Sequence, residues 1–233
     1  MVEIKNRALK RKIISLSYSN KLSHLGSVLT AVDIIYDIYK AKDPKDIFVL
    51  SAGHAGLAWY VVLEEVEQKL DLAQKLLDAC GSHPDRLKAK PLTDGITCSS
   101  GSLGHGIGIA VGMAMADRTR NVFCMVTDGE CAEGSVVEAL NIARIAKLTN
   151  FYLYINANGY SAYRELTIPD SWGHDEFMQP KHESKSVFSG FHINVVKTDC
   201  SYIPFLAGLK GHYVVMSADE YKIASEILKD ETN

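Results

Sequence analysis

The residues best suited to chemistry lie between Thr127 and Tyr160. Thr127-Asp-Gly-Glu130 closes one apolar run, Asn121-Val-Phe-Cys-Met-Val126. Thirty residues beyond Asp128, Asn158-Gly-Tyr160 closes another, which contains Phe151-Tyr-Leu-Tyr-Ile155. Both runs are short, continuous and rich in β-formers, the pattern of buried parallel strands. Between them, residues 135–148 carry Val136, Leu140, Ala143 and Leu148 at roughly helical spacing, with Glu138, Asn141 and Arg144 interleaved. Strand, helix and strand make a βαβ unit, whose right-handed crossover brings both strand ends to one edge. Ligands of open parallel sheets bind at that carboxyl edge. Asp128, the Asn158 side-chain oxygen and a carbonyl just beyond it are hard oxygen donors. They suit Mg2+, which takes one or two carboxylates and completes its shell with phosphate oxygens and water. The Gly129 amide and the loop after it can donate to the same phosphates. The spacing thus implies the anchoring of a metal-bound diphosphate.

Several elements must position these residues. An N-terminal helical segment leads into a strand at Ile47-Phe-Val-Leu50, and residues 56–68 and 70–79 read as helices. The loop 81–102, with Pro84, Pro91, Gly95 and Gly101, has the length of a functional loop. Residues 103–118 form an apolar helix whose Gly106, Gly108, Ala110, Gly112, Ala114 and Ala116 predict close packing against a sheet or a partner helix. Residues 161–189 are irregular, 191–197 read as a strand, 212–216 as another, and Ser217-Ala-Asp-Glu220 as the capping box of a last helix. The expected fold class is α/β, three αβα layers around a mainly parallel sheet, in a single domain over 1–233.

Composition narrows the partners. With 25 basic and 28 acidic residues the net charge is −3, which gives no electrostatic case for nucleic acid. No apolar stretch reaches transmembrane length, and the basic segment 5–12 lacks the hydrophobic region of a signal peptide, so no membrane and a cytoplasmic chain are expected. Five cysteines without a Cys-x-x-Cys pair argue against a disulfide scaffold.

The pattern Asp-Gly, about thirty residues, Asn is similar to the thiamine-diphosphate signature, and Thr127-Asp-Gly-Glu-Cys-Ala-Glu-Gly134 resembles transketolase. Four further blocks agree in order and spacing: Ser23-His-Leu-Gly-Ser27, Phe48-Val-Leu-Ser-Ala-Gly-His54, Ser82-His-Pro84 and Gly101-Ser-Leu-Gly-His-Gly106. The last is similar to the split, two-subunit transketolases. The resemblance spans roughly residues 5 to 200. It implies a thiamine-diphosphate-binding fold, thiamine diphosphate and Mg2+ as cofactors, and transfer of a two-carbon ketol group from a ketose phosphate to an aldose phosphate.

The same resemblance implies roles for residues. Asp128, Asn158 and the backbone carbonyl of Tyr160 match the metal ligands, and Gly129 the diphosphate contact. Gly101, Ser102 and Leu103 match the loop that approaches the aminopyrimidine, and His54 also belongs to the cofactor-binding set. His24, His54 and His83 match histidines of the substrate channel, which bind sugar oxygens and move protons, a task suited to a pKa near neutrality. Glu133 matches a glutamate that couples the active sites beside the partner's catalytic glutamate. In this family the cofactor lies between the diphosphate-binding domain and a pyrimidine domain whose glutamate activates it. At 233 residues the chain resembles the first domain alone. The resemblance therefore implies a separate pyrimidine-domain subunit, in a heterotetramer with two copies of each, serving the pentose phosphate pathway and carbohydrate metabolism.

Two departures mark the chain. Thr127 replaces the first glycine of the family's Gly-Asp-Gly, which is accommodated where φ is negative. Thr198-Asp-Cys-Ser201 replaces a Gly-His-Asp turn, leaving His174, His192 or His212 as candidates for a later cofactor-facing histidine. The alternatives are a related thiamine-dependent ketoacid or ketol enzyme, and a truncated homologue acting as a non-catalytic binding or assembly module.

Overall fold

Continuous apolar runs do become buried strands. In the computed structural model, which describes residues 4–89, 95–161, 164–166, 186–188 and 191–229, β1 (Ile47–Leu50) and β2 (Val122–Thr127) are buried at every position. The third strand, β3 (Phe151–Ala157), has buried Phe151, Leu153 and Ile155 alternating with half-buried tyrosines. With β4 (Ser186–Phe188) and β5 (Phe191–Lys197) these form one sheet in the order β1-β2-β3-β5-β4. All neighbours run parallel except β4, which pairs antiparallel with β5 at the edge. The β2–β3 register ends at Thr127 opposite Asn156, so Asp128 and Asn158 leave the sheet side by side.

Eight helices are described: α1 (Arg7–Ser19), α2 (Leu25–Ala41), α3 (Gly56–Glu67), α4 (Leu72–Cys80), the short α5 (Arg86–Ala89), α6 (His105–Ala116), α7 (Gly134–Ile145) and α8 (Ala218–Ile227). Alternation along the strands sends side chains to two cores. Phe48, Leu50, Phe123 and Met125 meet α1 to α4 and α8 on one face. Val49, Cys124, Val126, Leu153 and Ile155 meet α6 and α7 on the other. The architecture is the expected αβα sandwich. Helix α8 opens with the predicted capping box, Ser217 N–H donating to Glu220 Oε2 at 2.8 Å and Glu220 N–H to Ser217 Oγ at 3.3 Å. Among the described residues no helix is long and apolar enough to cross a membrane.

Polar side chains lock the elements that reach the carboxyl edge. Asp46 accepts from the Asn121 backbone at 2.9 Å, tying the start of β1 to the start of β2. The Asn150 amide lies 3.0–3.1 Å from the carbonyls of Ala114, Asp117 and Arg120 and so fixes the C-terminal end of α6 to the start of β3. Arg7 donates to the carbonyls of Ile227 at 2.7 Å and Lys229 at 3.1 Å, and Arg11 to that of Leu228 at 2.9 Å. With Tyr18 stacked on Tyr221 at 4.5 Å, these bonds clasp α1 to α8 and satisfy the carbonyls at its C-terminal end.

The structure corrects two expectations. Residues 212–216 are not a strand: a 3-10 turn at Leu209–His212 is followed by irregular chain up to α8. The chain curls because Gly208 takes φ +74° and a Cβ on Gly211 would overlap the Leu206 backbone. His192 cannot be the later cofactor-facing histidine. It sits at the amino end of β5, away from the carboxyl edge, with its ring stacked on Tyr152 at 4.3 Å. The stretch 161–189 falls largely outside the described residues, as do His174 and the His212 side chain.

Candidate functional site

Loops after β1, β2 and β3 converge with the N-terminal ends of α2, α6 and α7 around a cleft of about 380 Å³. That volume lies in the range of small-molecule sites. Of the residues singled out from sequence, His24, His54, His83, Gly101, Leu103, Gly129, Glu133, Asn158 and Tyr160 line this one cleft. Asp128, 3% exposed, lies between the lining residues Thr127 and Gly129. Ser102 is exposed in the turn before α6 and is not on the wall. The helix N-termini bring backbone donors and positive dipole ends to the cleft, which favours an anionic ligand.

The Asp128 carboxylate bridges two turns. Its Oδ1 accepts from the Gly129 N–H at 2.9 Å and its Oδ2 from the Gly159 N–H at 2.7 Å, so the loops after β2 and β3 are joined through it. Asn158 Oδ1 accepts from the Tyr160 N–H at 3.0 Å. Burial pushes the Asp128 carboxyl up to about 6, against the pull of these backbone donors. Among the described residues no lysine or arginine is paired with it, and no three His, Cys, Asp or Glu side chains cluster in metal-binding range. Each acceptor oxygen keeps a second lone pair. One buried carboxylate beside one carboxamide therefore fits a hard cation whose remaining ligands come from phosphate and water. Thr127 lies outside the left-handed region, as its side chain requires.

The histidines line the same cleft. His24 precedes α2 with φ 62° and ψ 23°, a left-handed conformation that costs a non-glycine residue about 1 kcal/mol or more and is typical of functional positions. Its ring lies 5.3 Å from that of His54, which belongs to the 3-10 turn leading into α3. His83 Nδ1 is 3.0 Å from Ser82 Oγ. A Cβ on Gly101 would only touch the His83 ring at 3.5 Å, so this glycine is not demanded by packing within the chain.

Burial holds the His83 imidazole below the ordinary value of 6.5. Between the lowered folded value and the unfolded one the unfolded chain binds more protons, so stability falls as pH drops through that window. An NMR titration of the cofactor-free protein is expected to place the His83 midpoint below 6.5. A midpoint at or above that value would contradict a half-buried, neutral ring.

Four residues at the cleft or behind it are not marked by the sequence. Tyr213 lines the cleft with its ring edge-on to His24 at 5.3 Å, delivered by the curled segment mistaken for a strand. Arg164 and Leu166 reach it from a small turn in which the Leu166 N–H donates to Gly159 O at 2.7 Å. Glu130 is fully buried behind the cleft, accepting from Ser51 Oγ, Gly104 N–H and Thr127 N–H at 2.7, 2.9 and 3.0 Å. Burial raises its pKa.

Comparison with known proteins places these features in a family. The model described as 1-deoxy-D-xylulose-5-phosphate synthase matches residues 3–168. One of the subunits of the apulose-4-phosphate transketolase of Actinobacillus succinogenes is 29% identical over 99% of this chain and 96% of that protein. Its namesake in Phocaeicola vulgatus is 30% identical over 67% of this chain and 60% of its own length. A solved transketolase of Pichia stipitis superposes with TM-score 0.72 and 20% identity, covering 98% of this chain and 41% of the longer one, a likeness of fold. With the motifs, the cleft and these matches in agreement, the chain belongs to the transketolase-like family, as an N-terminal, thiamine-diphosphate-binding type of domain.

Proposed function

We propose that this chain, acting as one diphosphate-binding domain over 1–233, is one of the two kinds of subunit in a split transketolase. The enzyme would transfer a two-carbon ketol group from a ketose phosphate to an aldose phosphate, with thiamine diphosphate, Mg2+ and a separate pyrimidine-domain subunit. The observation that carries this reading is the convergence of Asp128 and Asn158 with His24, His54 and His83 on one cleft. Both bacterial relatives are named as single subunits of a transketolase, which supports a partner chain. We extend the reading to a cytoplasmic heterotetramer, two copies of each subunit, serving the pentose phosphate pathway.

When bound, thiamine diphosphate supplies the electron sink that stabilises an acyl carbanion. The chain's own residues supply the rest. Asp128, Asn158 Oδ1 and the Tyr160 carbonyl would hold Mg2+, while the ends of α2, α6 and α7 would offset the diphosphate charge beside Gly129, whose N–H is engaged by Asp128 Oδ1 and which therefore contributes close approach rather than a free donor. Gly101 and Leu103, with Ser102 beside them, would border the aminopyrimidine. His24, His54 and His83 would hold substrate hydroxyl and carbonyl oxygens and move protons there, since an imidazole can both donate and accept. Glu133, at the N-cap of α7 and on the cleft wall, would face the partner's activating carboxylate.

Calorimetric titration of thiamine diphosphate with Mg2+ into the chain, alone and with a pyrimidine-domain subunit, followed by a ketol-transfer assay, tests this. Binding and turnover in the mixture are expected. No binding in either arm would remove the reading, and binding without turnover would leave a non-catalytic assembly module. The resemblance also admits a related thiamine-dependent ketoacid enzyme, so the donor panel should pair a 2-oxo acid with ketose phosphates. Apulose 4-phosphate belongs in that panel because both relatives carry it in their names.

A further inference from the structure

Glu130 is 0% exposed, yet among the described residues no lysine or arginine is paired with it. Burying a carboxylate costs several kcal/mol unless hydrogen bonds replace its water. Here three donors do so, and they come from three different segments. Ser51, just after β1, and the Gly104 N–H, at the start of α6, both reach Oε1 at 2.7 and 2.9 Å. The Thr127 N–H, at the end of β2, reaches Oε2 at 3.0 Å, and the Glu130 N–H returns to Thr127 Oγ1 at 3.3 Å.

These segments flank the two parts of the cleft. Gly104 closes the 101–104 turn, whose Gly101 and Leu103 stand on one wall, and Thr127 precedes Asp128 and Gly129. Strand pairing fixes β1 against β2 but does not reach the 101–104 turn. Gly104 takes φ +75°, and its N–H ties the turn to the segment after β2 through Glu130. Resting on the functional reading above, we infer that Glu130 is a positioning residue: its carboxylate locks the 101–104 turn to the 127–129 turn. The aminopyrimidine side and the metal–diphosphate side of the cleft thereby keep one spacing. Glu130 does not line the cleft and touches no ligand there. Its effect is exerted through Gly104 and Thr127.

The test uses the full chain together with its pyrimidine-domain partner. It reads thiamine diphosphate and Mg2+ affinity, and amide exchange at Gly104 and Thr127 in the cofactor-free state. Glu130→Gln keeps the size but turns an N–H2 toward a donor. It is expected to weaken cofactor affinity about ten-fold or more, as loss of an outer-shell partner does at metal sites, and to speed exchange at both amides. Leu76→Ala, in the core on α4 and not among the residues that line the cleft, serves as a control for lost stability. With a comparable drop in melting temperature it is expected to leave affinity within about two-fold. Wild-type affinity in Glu130→Gln overturns the proposal whatever its melting temperature. If that variant does not fold, Glu130→Asp, which keeps the charge but is one methylene too short to hold both Gly104 and Thr127, carries the test: weaker affinity with faster exchange supports the lock and unchanged affinity overturns it. Absence of cofactor binding by the wild-type complex overturns the functional reading and this proposal with it. Binding that Glu130→Gln leaves intact overturns this proposal alone.

Discussion

Asp128→Asn is expected to weaken Mg2+-dependent binding of thiamine diphosphate by about 100-fold or more, beyond what loss of an outer-shell group produces. Among the described residues, Asp128 is the one carboxylate that joins the loops after β2 and β3. The neighbouring Glu130 carboxylate is turned away to its own three donors. Asparagine would leave only neutral protein donors, and Mg2+ dehydrates too reluctantly to accept those without compensation. The variant keeps one of the two accepted backbone bonds and sheds a buried charge, so the cofactor-free fold is expected to persist. Titration of the cofactor at fixed Mg2+, repeated with a chelator, separates the metal-dependent part. Wild-type affinity would show that the metal is held elsewhere.

Gly106→Ala is expected to destabilise the protein by about 2–3 kcal/mol, although helix propensity alone predicts a gain of about 1 kcal/mol. The decisive fact is position. A Cβ at Gly106 would overlap the Ser51 Cα and side chain, and a backbone atom cannot swing aside. Helix α6 cannot slide away either, because Asn150 pins one end and Glu130 the other. At Gly108 and Gly112 on the same helix a Cβ would meet nothing within 4 Å. Alanine at either should therefore stabilise the isolated chain, by about 0.5–1 kcal/mol. Urea unfolding of the three single variants measures both signs. A stabilised Gly106→Ala would mean that α6 does not abut β1 as described.

The legible part of the molecule was the part written in local pattern. Buried strands announce themselves by continuous apolar runs, so the runs 121–126 and 151–155 match the strands Val122–Thr127 and Phe151–Ala157 to within two residues at each end. Asp128 and Asn158 followed from their place at those strand ends, and the histidines from their short blocks. Glu130 was not legible. An acid after Asp-Gly reads as an exposed turn residue, and its partners Ser51 and Gly104 lie 79 and 26 positions away. Tyr213 failed for the opposite reason: Tyr-Val-Val-Met looks extended, while the contacts that curl the preceding segment involve Leu206, Gly211 and Gly26, which no local window connects. Of the small residues on α6, Gly106 meets the sheet as the sequence predicts, while Gly108 and Gly112 have no neighbour within the chain itself.

The clasp between α1 and α8 bears on the order of folding. Its hydrogen bonds join residues 217 to 222 positions apart, nearly the full length of the chain. Closing such loops carries a large entropic cost before any contact repays it, whereas β2, α7 and β3 assemble from neighbours. The clasp is therefore expected to form after the rate-limiting step. Arg11→Ala should accelerate unfolding while leaving the refolding rate nearly unchanged in stopped-flow experiments. Slowed refolding would instead put the two ends of the chain together at the outset, with the cleft taking shape inside an already closed ring.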